Sequence, residues 1–131
     1  MRKILFRGKK KDNGEWIYGY LIQRVPDRLE IYSPSDKRMY INEMQYFEVV
    51  PETVSQFTGL TDKNGKEIYE GDVIRIHEGR NDFKITSIIW NDEYLCYDPT
   101  NDELRHSLKS RYSEHYEIIG NIHDNYELLN K

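Results

Sequence analysis

A chain of 131 residues is long enough for one domain or for two small subdomains that share a core. Only 37% of its residues are hydrophobic and 32% are charged, so the core must be thin; eleven tyrosines supply rings that pack while their hydroxyls stay wet. A net charge of −4 excludes a chain whose overall field attracts polyanions.

Residues 2–7 read as a short strand, with Ile4 and Phe6 on one face and Leu5 on the other. Lys9 to Gly14 form a polar loop ending in Asn13-Gly14. The segment Glu15–Ile22, dense in aromatic and β-branched residues, is a strand. Gly8 and Gly19 mark places for a bulge or a close backbone crossing. Pro26-Asp27 is a turn, Leu29–Tyr32 alternates as a strand, and Ser33–Asp36 turns again. Strand-like segments follow at Arg38–Ile41 and Tyr46–Val50, where Pro51 stops the second.

Residues 51–60 read as a connection into the second half. Asn64-Gly65 suits a two-residue type I′ hairpin, because both central residues need positive φ. Strands are then expected at Val73–His77, Phe83–Trp90, Tyr94–Asp98 and Tyr116–Ile122. Glu103–Lys109 reads as a brief helix or an irregular loop. Asp124 is placed to cap a last short helix, Asn125–Leu129. The chain is therefore mainly β with minor helix, divided into an antiparallel N-terminal subdomain (1–50) and a second subdomain (51–131).

No stretch approaches the ~18 apolar residues that cross a bilayer. The start MRKILFRGKK has no apolar run long enough for a secretory signal, so the expected location is the cytoplasm, with no membrane partner. The single cysteine, Cys96, excludes an intrachain disulfide and a cysteine-based structural zinc site.

Asn13–Tyr18 and Asn64–Tyr69 share the pattern N-G-x-x-I-Y, each followed closely by glycine. A longer resemblance surrounds the second copy. Residues Gln56–Val73 (QFTGLTDKNGKEIYEGDV), together with the closing Glu117–Asn125 (EIIGNIHDN) and the opening Met1–Gly8, resemble the YopX family of phage and prophage proteins. Tyr126 departs from that pattern, which often has proline there. The resemblance implies an SH3-like small barrel in the C-terminal part, homo-oligomers, and a phage or prophage accessory role in a bacterial cytoplasm. It carries over no catalytic residues. Gly59, Gly65, Gly71 and Gly120 fit turns and bulges, Asp72 fits a bond to turn amides, and Ile68, Val73, Ile118 and Ile122 fit a core.

No phosphate-binding loop, dinucleotide fingerprint or H-E-x-x-H occurs. Glu114, His115, His123 and Asp124 have donor atoms for a metal, but their spacing across a strand does not bring them together. No enzyme, cofactor or metal is expected. What stands out is charge. Arg2, Lys3, Arg7, Lys9, Lys10 and Lys11 fill the first eleven residues without an acid, while residues 91–131 hold nine acids against four bases. The leading expectation is a non-catalytic protein-interaction module that self-associates or meets a phage or host protein. The alternative is nucleic-acid binding, with those six bases tracking phosphates and Trp16 stacking a base. Trp90, ending an Ile-rich strand, is expected in the core.

Overall fold

The structure is a computed structural model and describes residues 4–24, 28–33, 46–77, 79, 81–91, 96–99 and 114–129. The expected strand at 38–41 and the segment 103–109 lie outside these residues, as do Arg2 and Lys3. Two compact units divide the chain, Met1–Gln56 and Phe57–Lys131, so the division falls inside a strand and not between residues 50 and 51. All strand pairings are antiparallel among the described residues, and no helix there is long and apolar enough to cross a membrane.

In the first unit, β1 (Phe6–Lys9), β2 (Trp16–Arg24), β3 (Arg28–Tyr32) and β4 (Tyr46–Glu48) form consecutive neighbours. The first residues of β5 (Ser55–Thr61) pair with the outer side of β1. Alternation assigns the faces. Ile31 is fully buried on one side of the sheet, and Val49, beyond β4, is buried with it. Gly8 lies under Val49, at a spot where a Cβ would come within 3.1 Å of the valine Cβ. Gly19 is tighter still, because a Cβ there would run into the Tyr32 carbonyl oxygen. The close backbone crossing expected at these glycines is found at Gly19, whereas Gly8 makes room for the Val49 side chain.

The hairpin joining β1 to β2 is longer than two residues. The Lys10 N–H donates to Glu15 O at 2.8 Å and the Gly14 N–H donates to Lys10 O at 2.9 Å, which closes a loop over Lys11–Gly14. Asn13 acts through its side chain: Oδ1 accepts the Glu15 N–H at 3.0 Å.

In the second unit, the remainder of β5 pairs with β6 (Glu67–Tyr69). Alternation does not disclose β5 as a strand, and the cause is Gly59. Its φ of +91° accompanies a register shift between Phe57 and Thr61, which breaks the period-2 signal. The β5–β6 turn also differs from the two-residue form. The Asp62 N–H donates to Lys66 O and the Gly65 N–H to Asp62 O, giving a three-residue loop with Gly65 at φ +80°. The four-residue turn Asp62–Gly65 ends on a left-handed residue, which explains why Gly is needed there.

A second sheet of this unit runs β10-β7-β8-β9, where β7 is Asp72–His77, β8 Phe83–Asn91, β9 Cys96–Pro99 and β10 Tyr116–Asn121. One face joins β6 in the core: Ile68, Ile74, Ile88 and Tyr116 are buried together, with Leu60, Ile76 and Ile118 packed against them. Val73 is also fully buried. The turn from β6 into β7 is held by Asp72, whose Oδ2 accepts the Tyr69 N–H at 2.7 Å. Among the described residues β9 and β10 remain the sheet's two edges, so no closed barrel forms. The expected terminal helix is a 3₁₀ turn, Tyr126–Leu129. Asn121 organises its approach, its Oδ1 accepting the N–H groups of His123 and Asp124.

Replacing Gly19 by Ala should destabilise the protein by about 1–3 kcal/mol, because the obstacle is backbone and cannot rotate away. Urea denaturation measures this, and an unchanged midpoint would show that β2 and β3 can separate at that point.

Candidate functional site

Of the basic segment, Arg7 and Lys9 lie on β1 and Lys10 and Lys11 on the loop after it, and these four are engaged within the first unit. Arg7 is 5% exposed. Its Nε donates to Ser55 Oγ at 3.1 Å, and its guanidinium carbon lies 4.8 Å from the centre of the Trp16 ring. Antiparallel register places Lys9 opposite Trp16, and the Lys9 ammonium sits 5.5 Å from the same ring. Lys10 rests 4.5 Å over Phe47 and 3.9 Å from Glu15. Lys11 pairs with Glu48 at 3.1 Å. Trp16 is therefore a half-buried ring already facing two cations of its own unit.

Sequence reasoning missed a different feature of this sheet. Register puts Tyr20 opposite Tyr32 and Tyr32 opposite Tyr46, so three tyrosines form one row across β2, β3 and β4. The ring centres are 6.4 Å apart in the first pair and 4.9 Å in the second. Tyr20 is 53% exposed and Tyr46 37%. Period-2 parity could have placed Trp16, Tyr18 and Tyr20 on one face. The pairing with Tyr46 could not be read, because residues 33–45 carry no usable register signal.

In the second unit a charged cluster crosses three segments. Glu117 on β10 accepts from Arg75 at 3.4 Å, lies 3.3 Å from His77 Nε2 and is 3.8 Å from the Lys63 ammonium. The hydrogen bond from His77 holds the Glu117 carboxyl below its ordinary value, and the charges of Lys63 and Arg75 act in the same direction against partial burial. Burial alone pushes the Glu70 carboxyl up.

Beside this cluster Phe83 is 50% exposed, with the Arg75 guanidinium 4.8 Å over its ring. Ile89 lies on the same face of β8 and is also exposed, as is Trp90 on the opposite face at 41%. The core position expected for Trp90 is thus corrected. The β7–β8 register runs to Ser87, Ile88 beyond it is still fully buried, and exposure begins at Ile89.

His115 and His123 are exposed, and no group of three or more His, Cys, Asp or Glu among the described residues could hold a metal ion. Asp124 Oδ2 accepts from Asn121 Nδ2 at 3.2 Å.

A depressed carboxyl stabilises the fold above its unfolded value, and that contribution is lost as pH falls through its folded value. Acidification through the carboxylate range should therefore lower the melting temperature, and Glu117→Gln should flatten that part of the profile. An identical pH dependence in the variant would remove Glu117 from the account.

Residues 5–130 match the protein family described as YopX protein. Comparison with solved structures finds protein EF1440 from Enterococcus faecalis, with a TM-score of 0.62 and 22% identity over 98% of this chain and 99% of that one. That likeness shows the fold alone. Comparison with curated proteins gives no match.

Proposed function

The chain belongs to the YopX family, and from that premise we propose that it is a non-catalytic protein-interaction module that works as a homo-oligomer. The observation that carries this reading is the exposure of three large apolar side chains, Phe83, Ile89 and Trp90, on the single strand β8. Exposed aromatic and aliphatic groups on a rigid sheet are the usual anchors of protein contacts. A thin core supplies a second reason, since association buries apolar surface that folding alone leaves wet.

What supports leaving catalysis out is the state of the half-buried cluster around Glu117, whose members are occupied by mutual ion pairs. Nucleic-acid binding along the basic segment has less support, given that Arg7 is buried and Lys9 and Lys10 are half-buried. The setting we assign, a phage or prophage accessory in a bacterial cytoplasm, follows the family resemblance. The SH3-like reading of 51–131 belongs to the same proposal. It draws support from short antiparallel strands bent at two places, within β5 and between Ile118 and Gly120 of β10.

Light scattering across roughly 1–100 μM, the range of ordinary oligomer affinities, tests the reading. The expected mass is a multiple of the protomer, falling to one protomer in Phe83→Lys and Ile89→Lys while the far-ultraviolet dichroism is kept. A single-protomer mass for the unmodified protein would overturn the self-association, and unchanged masses in both variants would overturn the assignment to β8.

A further inference from the structure

The tyrosine row belongs to the first unit, whereas β8, which carries the proposed self-association, belongs to the second. Antiparallel neighbours are spaced by about 4.8 Å, and here that spacing sets Tyr20, Tyr32 and Tyr46 side by side on three strands. The Tyr20 and Tyr32 planes differ by 22°, and those of Tyr32 and Tyr46 by 41°. The inner rings of the row therefore cover one another in part, and its exposed ends are Tyr20 and Tyr46.

Two exposed cations border the row on one side. On the same face as Tyr20, and beyond Ile22, Arg24 stands opposite Arg28. The Arg24 guanidinium carbon comes within 5.4 Å of the Tyr46 ring centre. Arg24 and Arg28 both bond Glu30, at 3.0 Å and 3.3 Å, while Glu48, opposite Glu30, pairs with Lys11, so three cations face two carboxylates. The charge of the unit agrees. Met1–Gln56 contains ten Lys and Arg against eight Asp and Glu, a net +2, while Phe57–Lys131 contains nine against fifteen, a net −6.

We propose that this face binds single-stranded nucleic acid, with bases stacked on Tyr20 and Tyr46 and phosphates held by Arg24 and Arg28. Stacking suits any base, because every base has a π-face, and the bordering cations suit the backbone between them. A duplex fits poorly, since its bases are already stacked on each other and only its phosphates could engage. The chain as a whole carries −4, so stacking must dominate over long-range attraction. The expected salt dependence is therefore shallow, matching about two phosphate contacts.

Fluorescence anisotropy with a dye-labelled oligothymidylate of about 15 nucleotides, near the upper site size of single-strand-binding folds, provides the test. The full chain should bind it in preference to a duplex of the same length. Tyr20→Ala should weaken binding about tenfold, the loss of one stacked base, whereas Tyr20→Phe, which keeps the ring, should stay within about twofold. Arg24→Gln, at an exposed position, should reduce the salt slope by about one. Thermal melts of each variant separate lost binding from lost fold. The proposal is overturned by no binding of the oligonucleotide, by equal binding of the duplex, or by a folded Tyr20→Ala that binds as before. Displacement of the oligonucleotide by polyglutamate with the same dependence on Tyr20 would also overturn it, in favour of an acidic protein segment. Because Phe83 and Ile89 lie in the other unit, their substitution should leave this binding intact. The two readings can therefore fail separately.

Discussion

One buried carboxylate holds the second unit together. Asp62 is 4% exposed, and its two oxygens accept three backbone N–H groups. Oδ1 takes those of Asn64 at 2.9 Å and Lys66 at 3.0 Å, closing the β5–β6 turn on itself. Oδ2 reaches across to the Ile118 N–H at 3.1 Å, 56 residues away in β10. Beside it, the Lys63 N–H donates to Tyr116 O at 2.9 Å. Side chain and main chain thereby imitate a strand pair, so β10 is bonded to β7 on one edge and to the turn on the other. Hydrogen bonds to a charged acceptor contribute roughly 1.5–3 kcal/mol each, and a buried N–H left without a partner costs about as much. A change at Asp62 therefore acts on the turn and the sheet together.

The surroundings of Asp62 follow from this clamp. Fixing Ile118 sets the parity of β10, which turns Tyr116 and Ile118 toward Ile74 and Ile76 and presents Glu117 to Arg75 and His77. Lys63, the residue after the clamp, then reaches Glu117 from the turn. A one-residue slip would bury Glu117 and expose Tyr116, so the core and the charged cluster depend on the same register. In the first unit the corresponding constraint is steric. Gly19 lets the β2 and β3 backbones approach, and that approach aligns Tyr20 with Tyr32.

Much of this architecture is legible in local sequence chemistry. The strands at Trp16–Arg24, Asp72–His77, Phe83–Asn91 and Tyr116–Asn121 lie where aromatic and β-branched alternation puts them, with ends differing by a residue or two. Both Asn-Gly sites are turns. Their type escapes the dipeptide rule because the decisive acceptor in the second is Asp62, two residues upstream of Asn64. The strand β5 is hidden because a bulge at Gly59 erases its period. Trp90 is exposed although it shares a face of β8 with fully buried Ile88, which alternation within β8 does not record. Charge counts locate the basic segment but do not show that its cations lie over Trp16 and Phe47. The tyrosine row is hidden for a similar reason. It is a product of register between three strands, and register across residues 33–45 has no local signature.

Amide hydrogen exchange on Asp62→Ala reads the clamp most directly. The account predicts that the Asn64, Lys66 and Ile118 amides all lose protection together, and that β10 amides paired with β7 exchange faster as a consequence. Loss confined to Asn64 and Lys66, with Ile118 and its neighbours in β10 still protected, would contradict it. The carboxylate would then be a feature of the turn alone, and β10 would owe its register to β7.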